Sequence, residues 1–422
     1  MGDSKVDLVS PWSRESRLMG RDSAVRSWLI VAGLLSASAV GAGLLEVRSQ
    51  RQQLERLRQA DAEDRETVSQ GQKDWGGLAY YSLHLTYSEP SSFAFAALGS
   101  RGTLPWKHRV RMLALEGQIY ESDVGNPAFA LVGRFDFAFV ASTILPLLVI
   151  LLLHALRTEE REAGRFELLE SMSSHPQSLW LIRAAVRLGA LAVCLLTPLW
   201  LGALWERSST ALVAGASGAV VVHLLFWGVV CDGVGRRSRT SAVSLTILVG
   251  LWLALAVIAP ALLRAGVEAT TPLPEGGEIL MAQRESVNGA WDLPKEATMS
   301  AFVATHPEWS DHTSIDRPFE WKWYYAFQQV GDQAASSLST RRREGRRARD
   351  VRLGRLSWLS PSLSVERTLQ RLAGTDLDAA MAYERSVREF HAALRRFYYP
   401  LLFEGQAFDP SRVRERPAFR PL

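Results

Sequence analysis

Five apolar runs, each about twenty residues long and nearly free of charge, constrain this chain more than any other feature. They are Trp28–Leu45, Phe137–Leu156, Ala184–Trp205, Ala211–Cys231 and Ser241–Leu263. A helix of that length matches the hydrocarbon thickness of a bilayer. In lipid the backbone must satisfy its own hydrogen bonds, so each run is expected to be helical. The expected fold is mainly α: a polytopic membrane protein with five transmembrane helices and two extracytoplasmic domains, the second mostly helical. The hydrophobic content of 47% averages two populations, because the segments outside the runs are polar and Arg-rich. The net charge of +4 is small, and its basic residues are scattered rather than interleaved with aromatics. That pattern argues against a nucleic-acid partner. Cys194 and Cys231 both fall inside apolar runs, so neither a disulfide framework nor a cysteine metal site is expected. The first run follows a polar leader without a clear cleavage context, which argues against a cleavable signal peptide.

Residues 1–27 carry Lys5, Arg14, Arg17, Arg21 and Arg26. From Ser10-Pro11-Trp12 onward they read as an interfacial helix with Trp12 at headgroup depth. The first span places Gly33, Ala37 and Gly41 at four-residue spacing, and the fourth places Ala211, Gly215 and Ala219 likewise. Such small-residue ridges let helix backbones approach closely. Residues 46–135 form the first polar domain. It opens with a helix over Gln50–Val68 and continues through an aromatic, turn-rich part, Trp75–Pro105, as a small α+β unit. Pro146 lies inside the second span, so a neighbouring helix or a local kink must satisfy the carbonyl it frees. Pro198 and Pro260 lie near the ends of the third and fifth spans.

Residues 264–422 form the second polar domain, long enough for its own core. A helix is expected from Pro318 with Asp316 as its cap. Its apolar face is Phe319, Trp323, Phe327, Val330, Ala334 and Leu338. It runs on into RRREGRRARD, a solvated surface in the main reading and an anionic-lipid contact in the lesser one. A final helix spans Asp376–Tyr399 and is ended by Pro400.

The positive-inside rule orients the chain. With the N-terminus inside, the inner segments 1–27, 157–183 and 232–240 hold five, four and three Lys/Arg, and the short outer loop 206–210 holds Arg207 alone. The expectation is a cytoplasmic N-terminus, an extracytoplasmic C-terminus and a location in the cytoplasmic (inner) membrane.

The charged segment 157–183 separates spans two and three. Ala163, Phe166, Leu169 and Met172 recur at helical spacing. Glu159, Glu160, Glu162, Glu167 and Glu170 intermingle with Arg157, Arg161 and Arg165. So many charges exclude it from the hydrocarbon. It reads either as an ordinary solvated loop helix or as a docking helix for a soluble partner.

No catalytic constellation emerges. None of Lys5, Lys73, Lys107, Lys295 and Lys322 follows a glycine or precedes Ser or Thr, so a phosphate-cradling GxxxxGK[ST] loop is absent. The chain is therefore not expected to hydrolyse ATP itself. His306, Asp311, His312 and Asp316 match no metal-ligand spacing. His84, His175 and His223 are isolated. Glu116, Glu121, Asp123 and Asp136 precede the second span without partners that mark a proton relay, and His154 and Asp232 sit at span ends.

Asp136, Leu145-Pro146-Leu147, the run Glu160-Arg161-Glu162-Ala163-Gly164, and Leu168-Leu169 together resemble the type-2 ATP-binding-cassette (ABC) export permeases. Leu359-Ser360-Pro361-Ser362, Leu372–Asp376 and Phe397–Phe403 are similar to the branch with two large extracytoplasmic domains. Many members of that family have six spans, whereas no apolar run follows Phe403 here. The resemblance implies a permease that pairs with a second copy or a paralogue. It also implies cytoplasmic ABC ATPase subunits that carry the ATP and Mg, with no cofactor in this chain. The implied coupling helix is Thr158–Met172, with Glu159, Glu160, Arg161, Glu162, Gly164, Phe166 and Leu169 as its ATPase-coupling residues. A periplasmic partner protein is a further expectation from the outer domains. The alternative function is a membrane-anchored sensor or scaffold whose outer domains bind a partner.

Overall fold

The computed structural model describes residues 11–121, 135–172 and 176–421. Lys5, Ser10, Asp123 and His175 lie outside the described residues. In chain order the elements are α1 (Pro11–Arg21), α2 (Ser23–Gly71), α3 (Trp75–Tyr81), β1 (His84–Tyr87), β2 (Lys107–Val110) and α4 (Leu115–Glu121). Next comes α5, continuous through Phe137–Phe139, a π turn at Val140–Ile144 and Leu145–Leu153. Then follow α6 (Thr158–Glu162), α7 (Phe166–Ser171), α8 (Pro176–Trp205) and α9 (Thr210–Arg237). Helix α10 combines Ser241–Trp252, a π turn at Leu253–Ile258 and Ala259–Thr270. The chain closes with α11 (Gly276–Gly289), α12 (Lys295–Val303), α13 (Trp321–Leu356), α14 (Pro361–Leu372) and α15 (Leu377–Phe403).

The protein is a mainly α, polytopic membrane protein. Among the described residues, α2, α5, α8, α9 and α10 are long and apolar enough to cross a membrane. They coincide with the five apolar runs. Sequence reading separates the first span from a helix over Gln50–Val68, but α2 carries both as one helix of 49 residues. Residues 44–50 contain neither Gly nor Pro, and Gly71 supplies the break. At 1.5 Å per residue α2 is about 73 Å long, more than twice a hydrocarbon core of about 30 Å. Its second half therefore stands outside the bilayer and carries the polar lobe.

Prolines 146 and 260 sit just after the two π turns. In each turn an N–H reaches five residues back, Leu145 to the Val140 carbonyl and Ala259 to the Ala254 carbonyl. The wider turn makes room for the proline ring. Trp252 Nε1 of α10 donates to the Thr143 carbonyl at 2.9 Å. His223 of α9 is buried in the same bundle, and neither of its ring nitrogens has a hydrogen-bond partner among the described residues. A neighbouring helix thus bonds one carbonyl of the turn that precedes Pro146.

Within the single chain the small-residue ridges are only partly covered. Gly33 is half-buried against the Cys194 carbonyl and Gly41 is half-buried without a close neighbour, while Ala37 is exposed. The face of α2 that meets α8 is Ala32, Ser36, Ala39, Val40 and Gly43, with Ser36 Oγ donating to the Leu195 carbonyl at 2.7 Å. On α9 the ridge residues Ala211 and Gly215 are exposed and Ala219 is half-buried; the buried stripe is Val213, Ala216, Val220, Leu224 and Trp227. One residue of offset rotates a helix by about 100°, which is enough to move a ridge off the contact.

The two polar segments share one core. Trp75, Leu78, Val110, Met112 and Ile119 from the first pack with Phe302, Trp323, Phe327, Leu394 and Tyr398 from the second. The only pairing among the described strands is the antiparallel pair β1–β2, with His84 opposite Val110. Asp332 of α13 accepts from the Leu115 and Glu116 N–H groups and caps α4. Glu116 in turn accepts two bonds of 2.9 Å from Arg388 of α15. Helix α13 starts at Trp321, three residues later than expected, because Glu320 rather than Asp316 occupies the cap position. Glu320 accepts from the Asp316 and Arg317 N–H groups and holds Pro318 outside the helix. Pro400 does not end α15, which runs through Phe403.

Two non-spanning pieces enter the lobe-side end of the bundle. Phe93–Leu98 is buried there, with the Phe95 ring against Val40 and Gly202. Helix α14 buries Leu363, Val365 and Leu369 among the spans, touching α9 and both π turns. Ser360 caps α14 and its hydroxyl donates to the Leu255 carbonyl inside the π turn of α10 at 2.8 Å.

Candidate functional site

The segment between α5 and α8 is the site that sequence reading singles out, and the structure divides it. Thr158–Met172 is not one helix but α6 and α7, joined at Ala163–Arg165. Gly164 has φ of +68°, the left-handed conformation that glycine adopts without strain. The Arg165 N–H reaches the Glu160 carbonyl at 2.9 Å across it, closing α6 with a C-terminal cap.

Three consecutive side chains tie α6 to three different spans. Glu160 accepts from Arg183 of α8 at 3.2 Å and from Arg165 at 2.9 Å. Arg161 donates to the carbonyls of Gly235, Ser238 and Arg236 at 2.7, 2.7 and 3.1 Å, which are the last acceptors of α9. A guanidinium there satisfies carbonyls that lack helical partners and sits at the negative end of the helix dipole. Glu162 accepts from the Ser241 N–H at 2.9 Å and from its hydroxyl at 3.0 Å, at the positive start of α10. Opposite charges thus meet opposite helix ends.

Below this layer Arg157 is buried and donates twice to Asp232 Oδ1, at 2.9 and 2.8 Å. The ring of Phe166 stacks on Trp180 at 5.4 Å. Arg161 lies 4.5 Å over Phe166, and Arg157 lies 4.9 Å over Trp180. Such stacking gains when it is shielded from water. Arg183 also reaches the buried Glu15 of α1 at 3.4 Å. The leader helix α1 therefore packs on α8 by the loop, while Trp12 and Leu18 remain exposed.

Of the expected coupling residues, Glu160, Arg161, Glu162, Phe166 and Leu169 make contacts within the protein, whereas Glu159 and Gly164 are exposed. The outward surface belongs to Glu167, Leu168 at 59% exposure, Ser171 and Met172 at 77%, of which only Leu168 belongs to the motif. Sequence reasoning missed Trp180, Ser241 and Glu15 as parts of the site. Asp232 was visible only as a charge at a span end. Of the histidines weighed as ligands, His306 stacks on Phe302 and His312 meets Trp309 edge-on.

Residues 277–421 match the family model described as Domain of unknown function (DUF3526). The match begins within α11 and covers α12 to α15, so it holds the larger share of the lobe and the inserted helix α14 but none of the five spans. No curated protein and no solved structure matches the chain.

Proposed function

We propose that the chain is the transmembrane permease subunit of an ATP-driven ABC export system, coupling hydrolysis on separate ATPase subunits to substrate movement. In this reading the α6–α7 loop faces the cytoplasm, the lobe is extracytoplasmic, and the permease acts as a dimer. The observation that carries the reading is the set of tethers from Glu160, Arg161 and Glu162 to α8, α9 and α10. A load applied to α6 is passed to three spans at once, through charged hydrogen bonds rather than a flexible linker. The π turns of α5 and α10 provide bending points in the spans, and α14 touches both. An ATPase shifts such a bundle between two packings only as far as it binds them differently.

The exposed face of Glu167, Leu168, Ser171 and Met172 is the docking contact in this reading, and the Glu-Arg-Glu run is the transmission. The two roles separate experimentally. Leu168→Asp with Met172→Asp should abolish association with the ATPase while the protein inserts and melts normally. Arg161→Gln should keep the association but lose stimulation of ATP hydrolysis. Equal stimulation by the parent protein and both variants would contradict the proposal.

A further inference from the structure

We propose that the groove between the lobe-side end of α10 and the foot of α13 binds an anionic phospholipid. Arg352 and Arg355 hold the headgroup phosphate, and Leu262, Leu263, Gly266 and Val267 carry an acyl chain. The inference needs only the membrane location of α10 and does not rest on the transporter reading. The groove has a volume of about 380 Å³ and is apolar along α10 and basic along α13. Its depth is fixed by Ser360, whose hydroxyl is bonded to the Leu255 carbonyl. Leu255 lies about 12 Å along the helix from the end of the apolar run at Leu263. Arg352 is bonded to Thr271, about 12 Å beyond Leu263 in the other direction, so the stretch from Arg352 to Ser360 crosses the level at which the apolar run ends, and its side chains fit that level. Trp358 is 73% exposed and Leu262 65% exposed, an aromatic and an aliphatic side chain without protein cover. Exposed Trp is favoured at headgroup depth.

The arginines stand one and two turns along α13 from Trp358. Arg352 spends one N–H on Thr271 Oγ1 at 2.5 Å, leaving other donors of its guanidinium. Arg355 is exposed and has no ion-pair partner among the described residues. Of the neighbouring acids, Asp350 pairs with Arg367 at 2.8 Å and Glu366 with Arg264 at 2.8 Å, while Glu268, exposed on α10, forms no ion pair with Arg352 or Arg355. Two guanidinium groups without carboxylate partners, above an apolar slot at the bilayer edge, complement a phosphate attached to an acyl chain.

The test uses full-length protein purified from mixed phosphatidylglycerol–phosphatidylcholine membranes, with retained lipid counted by native mass spectrometry. The parent protein should retain phosphatidylglycerol over phosphatidylcholine. Arg355→Gln should lower that retention roughly fivefold, the effect of one basic residue at an anionic surface. Gly266→Leu should lower it too by filling the acyl slot; a Cβ at Gly266 meets nothing within 4 Å, so the fold should tolerate the change. Arg347→Gln, on the same helix but outside the groove, should leave retention unchanged. Equal retention of the two lipids, or an unaltered count in either groove variant, would overturn the site. So would displacement of the lipid by inorganic phosphate at matching concentration, since the phosphate alone would then account for binding.

Discussion

Gly43 shows how narrowly single residues join the bundle to the lobe. A Cβ at this position would lie 2.0 Å from the Phe95 carbonyl oxygen, so backbone must move to admit it. Gly43→Ala should cost about 2–3 kcal/mol by overpacking. Gly218→Ala, where a Cβ meets nothing within 4 Å, should be neutral or slightly stabilising. Thermal melting of the two purified variants checks the contrast. Arg161 is the corresponding residue in the loop. Replacing it with Gln leaves carbonyls of Gly235, Arg236 and Ser238 short of a charged donor, a loss of about 2 kcal/mol. Hydrogen exchange over 158–172 and 235–241 should accelerate together in Arg161→Gln and stay unchanged over α15. The sequence shows that residues 160–162 are charged and near a membrane surface. It does not show which charges turn inward, because that depends on where the ends of α9 and α10 lie, some 75 residues away. Gly164 was readable as a helix stop, since glycine just after a short periodic run is the usual C-terminal signal.

At the scale of elements, the spans were legible because lipid imposes a demand that composition alone reveals. The inserted helix α14 was not. PSLSVERTLQRL alternates apolar and charged residues as any solvated amphipathic helix does, and only the tertiary structure shows its apolar face among α9 and the two π turns. Ser360 is its anchor, both as N-cap and as donor to Leu255. Ser360→Ala should lower stability by about 1–2 kcal/mol. Its local signature should be faster exchange over 360–372. Unaltered exchange there would mean that α14 is held by its apolar contacts alone. The π turns were half-legible: Pro146 required a partner for a freed carbonyl, but nothing in the sequence names Trp252 as the donor to the neighbouring one.

For the whole molecule, the two polar segments were read as two domains because the spans between them separate their patterns in sequence. Their common core is a long-range pairing that has no local periodicity to betray it. The lobe they form carries buried imidazoles. Burial, reinforced by Arg416 and Arg65, pushes His84 down to about 3. Burial likewise lowers His108, and it holds His391 well below the ordinary histidine value. A histidine whose folded pKa is depressed stays neutral in the lobe while the unfolded chain takes up a proton. The stability it supports is complete above about pH 6.5 and falls as the pH drops toward the folded value. Each such group contributes a slope of up to about 1.4 kcal/mol per pH unit in that window. Glu116 adds a second, more acidic phase. Burial alone would raise its pKa, but bonds from Arg388 and Ser339 and the charge of Arg343 bring it below the usual carboxylate range. Its contribution is present above about pH 4.5 and is lost as the pH falls through the lowered value. The melting temperature of the lobe should therefore decline from pH 7 to pH 5, and His84→Gln should flatten that decline.

We propose that the outer face of α6–α7 receives a separate nucleotide-hydrolysing subunit. A photo-crosslinking residue placed at Leu168 in native membranes tests it most directly. The account predicts an adduct with a protein that contains a GxxxxGK[ST] loop, lost when Met172 is also changed to Asp. An adduct only with proteins lacking that loop would contradict it.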